Sequence, residues 1–98
     1  MTKKITVAYD DDGIIFSLGQ TIFFQRKLRG LTQEALAHAA GIDRSHMGKI
    51  ERGERNLTVL NLWRIAKALG LQPWELMKAA HDKGVVGDGR YDLYAKSK

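Results

Sequence analysis

The stretch that decides the fold is residues 33–52, QEALAHAAGIDRSHMGKIER. It contains two short helical patterns separated by a glycine. Thr32 can cap a first helix that runs to about Ala40, and Gly41 ends it because glycine readily adopts positive φ. Asp43 can cap a second helix that runs to about Glu51. The stretch therefore predicts two short helices joined by a tight turn.

The apolar residues of this stretch have the spacing of a helix-turn-helix. Ala37 must be small because the second helix crosses close above it, and Gly41 permits the tight turn. Gly48 is unusual within a helix, where it costs about 1 kcal/mol relative to alanine. The angle between the two helices is fixed by a wedge formed by Leu36, Ile42, Met47 and Ile50.

Outward from this stretch, three more helices are predicted. Ser17 and Gln20 form a capping box for a helix that ends near Gly30. Thr58 caps a helix that ends at Gly70, and Pro73 suits the first position of the last helix. The sequence thus favours an all-α domain of five helices. The buried side of the helix after Thr58 is predicted to hold Leu60, Leu62, Trp63, Ile65, Ala66 and Leu69.

The two ends of the chain differ from the middle. The N-terminal arm, residues 1–16, is predicted to contain a short strand. The pattern behind this prediction is the alternation of Ile5, Val7 and Tyr9 with the smaller residues Thr6 and Ala8. This strand would pair with its copy in a dimer, or the arm would be disordered. Residues 81–98 are rich in glycine and predict a flexible tail. The predicted helix-turn-helix domain is residues 17–80.

Composition narrows the class of protein. A chain of 98 residues fits one domain, and the lack of cysteine excludes disulfides and thiolate metal sites. No apolar run approaches the about 18 residues of a membrane span, and no signal peptide is recognisable. We therefore expect a soluble protein of the cytoplasm, without membrane contact. The net charge is +5, and residues 17–80 carry ten Lys and Arg against five acids, which suits a polyanionic partner such as nucleic acid and association with the nucleoid.

An enzyme is the first alternative, and the sequence argues against it. His38, His46 and His81 lack the spacing of metal ligands, and no metalloprotease or P-loop motif is present. The acidic run at 10–12 is better explained as a loop than as a metal site. We expect no catalytic residues, no metal and no cofactor.

Several separated motifs stand at fixed spacing along residues 17–80. They are Gly19-x-x-Ile22, Arg26, GLTQ at 30–33, Leu36-Ala37, Gly41-Ile42, IERGERN at 50–56 and AKALG at 66–70. Together they resemble the phage-repressor/Cro family of helix-turn-helix regulators, also called the xenobiotic-response-element family. The resemblance implies a compact, five-helix, lambda-repressor-like domain that binds operator DNA, usually as a dimer. Gln25 stands where the family usually has an apolar residue, and the aromatic pair at 23–24 also departs from its pattern.

The resemblance also assigns residues to the DNA. Arginine near the start of the second helix can donate two hydrogen bonds to guanine. The residues implied to read bases are Arg44, Ser45 and Lys49. Those implied to contact phosphates or flanking groups are Gln33, His46, Arg52, Arg55 and Asn56. The alternative for these residues is a solvated polar surface, except for His46, which would merely pack. Gly48, on the same helix, would let the backbone or a neighbouring base approach closely.

Two further pairs are implied by the resemblance. Arg26 and Glu51 would form an ion pair that joins the first helix to the end of the third, with a structural role. On the last helix, part of the set Trp74, Leu76, Met77 and Ala80 must belong to the core. Trp74 and Met77 would form a dimer interface or belong to the core as well, and we expect a homodimer.

The predicted function is sequence-specific binding of double-stranded DNA by a transcriptional regulator, a repressor that binds a palindromic operator. The helix at 43–51 would enter the major groove. The alternative is an antitoxin-type protein that binds both DNA and a protein partner. The motifs at 43–45 and 51–57 also resemble the controller proteins of restriction–modification systems.

Overall fold

The computed structural model describes residues 10 and 13–82, and in this part of the chain the only regular elements are five α-helices. The predicted all-α, five-helix fold is confirmed. The predicted strand at 5–9 and most of the predicted tail lie outside the described residues. The helices are α1 (Ile14–Leu28), α2 (Gln33–Ala40), α3 (Arg44–Glu51), α4 (Val59–Ala68) and α5 (Pro73–Asp82).

Three helices begin where their capping residues predict. The Thr32 hydroxyl accepts a hydrogen bond from the Ala35 N–H, and the Thr58 hydroxyl accepts one from the Asn61 N–H. The Asp43 carboxylate caps α3 by accepting from the backbone N–H groups of Ser45 and His46. Hydrogen bonds to that carboxylate, first from the Ser45 hydroxyl and then from the His46 N–H, hold the pKa of Asp43 below its usual value.

The predicted start of the first helix is wrong. The helix begins at Ile14, so the last residues of the predicted arm are helical. Its cap is the Asp10 carboxylate, which accepts from the N–H groups of Ile15 at 2.8 Å and Phe16 at 3.1 Å. Ser17 is buried, and its hydroxyl donates to the Ala80 carbonyl at 2.6 Å. The local capping-box pattern could not reveal this bond because its acceptor lies on α5.

One apolar face of α4 was also predicted incorrectly. Leu62, Ile65, Ala66 and Leu69 are buried as expected, but Leu60 is 57% exposed and Trp63 is 55% exposed. These two residues are three apart and share a second stripe of the helix, turned away from the core. The core itself is formed by all five helices, and its fully buried members include Ile22, Leu36, Met47, Ile50, Ile65 and Leu76.

The departure from the family pattern on α1 is accommodated at the surface. Gln25 is half-buried, and its side-chain oxygen accepts from Arg29 Nη1 at 2.7 Å. Phe23 and Phe24 are exposed, and the Arg26 guanidinium carbon lies 5.2 Å from the centre of the Phe23 ring. These positions therefore lie outside the apolar core.

Close contact between α1 and α3 fixes the position of the helix-turn-helix. A Cβ atom added to Gly19 would lie 2.4 Å from the Ile50 carbonyl oxygen and 2.7 Å from that of Glu51. Both neighbours are backbone atoms, so only glycine allows the two helices to approach this closely. The C-terminal end of α3 is thereby held against the side of α1. Within the described residues, no helix is both long enough and apolar enough to cross a membrane.

Candidate nucleic-acid interface

The exposed face of α3 carries the residues predicted to read bases. Arg44 and Ser45 are exposed, and Lys49 is half-buried. The opposite face is buried through Met47 and Ile50, which pack in the core. The helix therefore has one side fixed by packing and one polar, basic side that faces outward.

The Ser45 side chain already has a partner. Its hydroxyl donates to the Asp43 carboxylate at 2.5 Å, in addition to the capping bond from its N–H. In this arrangement the hydroxyl oxygen can still accept a hydrogen bond, whereas donation would require release from Asp43. His46, on the next position, is half-buried.

A buried ion pair lies beneath this surface, as predicted. Arg26 Nε donates to Glu51 Oε2 at 2.7 Å, and Arg26 Nη2 donates to Glu51 Oε1 at 3.0 Å. The third nitrogen, Nη1, donates to the Leu31 carbonyl at 2.9 Å. The pair therefore joins α1, the loop before α2 and the end of α3.

Gln33 extends this network to the surface. Its amide nitrogen donates to Glu51 Oε1 at 2.9 Å, and the residue is half-buried. A side-chain amide has two N–H donors and one carbonyl acceptor, so one donor and the acceptor remain for another partner. The residue predicted to contact DNA from the start of α2 is thus oriented by a buried carboxylate.

Gly48 gives this network its space. A Cβ atom at this position would lie 3.2 Å from Arg52 Nη1 and 3.3 Å from Gln33 Oε1. Two side chains, both predicted to contact DNA, approach Gly48 here, whereas the sequence prediction was an approach by the backbone or a neighbouring base. No sequence pattern indicated which groups would fill the space.

The turn after α3 adds further charge. Arg55 and Asn56 are exposed, whereas Arg52 is paired with Glu54, a residue that the sequence prediction did not include in the site. Arg52 Nε lies 2.9 Å from Glu54 Oε2, and Nη2 lies 3.2 Å from Oε1. The hydrogen bond from Arg52 lowers the pKa of Glu54, and the nearby charges of Arg52, Lys49 and Arg55 lower it further.

On α5, the residues assigned to the core or to a dimer interface separate into a buried pair and an exposed pair. Leu76 and Ala80 are buried, while Trp74 is 64% exposed and Met77 is 47% exposed. The two exposed residues are three apart on α5 and lie on the same side of the helix. They form an apolar surface outside the core.

Replacing Gly48 with Ala should separate stability from DNA binding. Alanine is about 1 kcal/mol more favourable in a helix, and the new methyl group would only press on the ends of two flexible side chains. We expect thermal denaturation to show unchanged or increased stability, while titration of a fluorescent duplex shows weaker binding. Tighter DNA binding by the Ala variant would contradict the role given to this space.

Comparison with known proteins identifies the class. The model of a helix-turn-helix family matches residues 24–76, and the chain belongs to this family. It is similar to the control protein C.BamHI of Bacillus amyloliquefaciens, with 43% identity over 47 residues, 48% of this chain and 58% of that protein. It is also 40% identical over 52 residues to y4dJ, an uncharacterized HTH-type transcriptional regulator of Sinorhizobium fredii, covering 53% of this chain and 68% of that protein. The matched segment thus spans about six tenths of C.BamHI.

Solved structures agree with this assignment. The restriction–modification controller protein C.AhdI of Aeromonas hydrophila superposes with a TM-score of 0.62 and 42% identity, covering 63% of this chain and 94% of that one. SinR, the master regulator for biofilm formation, was solved in complex with DNA. It superposes with a TM-score of 0.58 and 30% identity over 61% of this chain and 97% of that one. By name these relatives are control proteins, a transcriptional regulator and a regulator bound to DNA, so the predicted class, a DNA-binding regulator, is confirmed.

Proposed function

We propose that the protein represses transcription by binding a palindromic operator as a homodimer, with α3 in the major groove. The observation that carries this proposal is the division of α3 into a packed side and an exposed basic side. A helix of this kind can enter a major groove without disturbing the core that positions it. The proposed DNA-binding unit is the predicted one, residues 17–80, with the additional helical residues at each end.

Base and phosphate contacts are assigned separately. Arg44, Ser45 and Lys49 are proposed to contact base edges, because they occupy the outward face of α3. A second set lies at the start of α2, on α3 and in the following turn, where contacts to the sugar–phosphate backbone fix the position of the helix. This set consists of Gln33, His46, Arg52, Arg55 and Asn56.

The dimer is proposed to form through α5. Trp74 and Met77 provide an exposed apolar surface there, and large exposed apolar surfaces often mark interaction sites. A two-fold dimer of a helix-turn-helix protein places its two recognition helices about one turn of DNA apart, roughly 34 Å. The corresponding operator would contain two inverted half-sites.

Selection of duplexes from a randomised pool, followed by titration at several salt concentrations, tests the proposal. Arg44→Ala should weaken binding to the selected duplex by about 1–3 kcal/mol, roughly 5- to 150-fold in Kd, and relax the preference at one base pair per half-site. The matched control is Arg64→Ala, which removes an exposed arginine from α4 and should leave binding nearly unchanged.

Two results would count against this function. Equal weakening of Arg44→Ala on selected and scrambled duplexes would mean that Arg44 contacts only phosphate. Selection of a single sequence without inverted repeats would contradict the two-fold dimer. Repression itself is tested with a reporter gene placed downstream of the selected sequence.

A narrower role is favoured by particular relatives. C.BamHI and C.AhdI are controller proteins, and both are more than 40% identical to the matched segment. We therefore propose control of a restriction–modification gene set as a second candidate. Genes for a DNA methyltransferase and an endonuclease next to this one would support it. The comparisons give no support to the antitoxin alternative.

A further inference from the structure

The carboxylate of Glu54 lies within the surface proposed to contact phosphates. It accepts two hydrogen bonds from Arg52, at 2.9 Å to Nε and 3.2 Å to Nη2, so the guanidinium group is held side-on. Two of the three guanidinium nitrogens are therefore used within the protein. These are groups that a backbone phosphate would otherwise bind.

The position of Glu54 is determined by the backbone. Its N–H donates to the Lys49 carbonyl at 2.8 Å, which ties the turn to the last turn of α3. Gly53, just before it, has a φ of 76° and sends the chain back toward the helix. Glu54 is thus kept among cationic side chains by bonds that do not involve its carboxylate.

The cationic side chains around Glu54 keep its carboxyl group in the anionic form. Its pKa is lowered, first by the hydrogen bond from Arg52, so it is ionised at neutral pH. Three cations lower this pKa. They are Arg52 and Arg55, which are proposed to contact phosphates, and Lys49, which is proposed to read a base. The carboxylate is therefore a permanent acceptor for the two hydrogen bonds that the Arg52 guanidinium group donates.

We propose that Glu54 is an internal competitor for backbone phosphate that restrains Arg52 and so weakens binding to all duplex DNA, whatever its sequence. This inference rests on the proposed function, because it takes Arg52 as a phosphate contact. Binding to non-operator DNA depends almost entirely on such contacts. Glu54 therefore limits the time that the protein spends on DNA that is not its operator.

The size of the effect follows from the exposure of the pair. Arg52 is exposed and Glu54 is half-buried, and ion pairs at a protein surface are weak enough for phosphate to replace them. Glu54→Gln keeps the shape of the side chain and removes the charge. We expect this variant to bind both the selected duplex and a scrambled duplex of equal length about three- to tenfold more tightly.

Salt dependence and a double-mutant cycle identify the mechanism. One additional phosphate contact should steepen the slope of log K against log salt by about 0.9. The same substitution in an Arg52→Met background should change the affinity by less than about twofold, because the restrained cation is gone. Glu75→Gln removes an exposed carboxylate from α5 and controls for net charge. Thermal denaturation of each variant shows that the comparison is made between folded proteins.

The possible outcomes decide between mechanisms. An equal gain in both backgrounds would overturn the inference, since the carboxylate would then act by general repulsion. Weaker binding by Glu54→Gln would also overturn it and would mean that Glu54 orients Arg52 for the phosphate. Failure of the proposed function has a different signature, because the wild-type protein would not discriminate the selected duplex from the scrambled one. The Glu54 cycle could still be read on scrambled DNA.

Discussion

Replacing Arg26 with Met is expected to lower the free energy of unfolding by about 3–5 kcal/mol. The substitution removes the cation that pairs with Glu51, whose side chain is only 3% exposed. Glu51 would keep the hydrogen bond from Gln33 but would carry an uncompensated charge in the interior. The Leu31 carbonyl would also lose its bond from Arg26 Nη1.

Thermal denaturation should show this loss clearly. In a domain of this size each kcal/mol corresponds to about 4–8 °C, so the Tm should fall by at least about 12 °C. Lys27→Met is the matched control, because Lys27 is the exposed neighbour on the same helix and lies against the same Phe23 ring. An unchanged Tm for Arg26→Met would show that the ion pair has no structural role.

A double variant separates stability from positioning. In Arg26→Met/Glu51→Met the buried charge is absent, and apolar replacement of a buried pair often restores stability. Gln33, however, would have lost the carboxylate that orients it. The double variant should therefore regain much of its Tm and still bind DNA more weakly than the wild-type protein.

The second large effect is expected at Gly19. Replacement by Ala should lower the free energy of unfolding by about 2–3 kcal/mol, even though alanine is favoured within a helix by about 1 kcal/mol. The added methyl group would overlap the carbonyl oxygens of Ile50 and Glu51, so α1 and α3 would have to move apart. Because α3 is the helix proposed to enter DNA, the displacement should also weaken binding.

Gly48→Ala is the matched control for this substitution. Both glycines lie inside helices, but the neighbours of Gly48 are flexible side chains and those of Gly19 are backbone atoms. Chemical denaturation of the two variants under the same conditions gives the comparison. Equal stability of the two Ala variants would rule out a steric restriction at the α1–α3 contact.

These structural details show what the sequence could predict. The caps at Thr32, Asp43 and Thr58 use donors two or three residues away, so a local pattern was sufficient to place the starts of α2, α3 and α4. The start of α1 could not be placed in this way. Ser17 has its partner 63 residues away on α5, and a tertiary bond of this kind leaves no local pattern.

The same distinction holds for the candidate site. The family resemblance was enough to single out Arg44, Ser45 and Lys49 on α3, of which the first two are exposed and the third is half-buried. It could not predict the convergence of Gln33 and Arg52 over Gly48, because this depends on how α2 and α3 cross. It also missed Glu54, whose importance comes from its contact with Arg52 and not from its residue type.

The bond between Gln33 and Glu51 has a consequence for how such a regulator can diversify. A substitution at Gln33 or Glu51 disturbs a network that also holds α1 to α3, so it should change folding together with the proposed DNA contact of Gln33. Arg44 and Lys49 have no place in that network. If α3 reads bases as proposed, new sequence preferences can arise by mutation of its outer face at little cost to folding, while the anchored Gln33 amide keeps its position. An engineered library with altered sequence preference should vary Arg44 and Lys49 on the outer face of α3 and leave Gln33 and Glu51 unchanged.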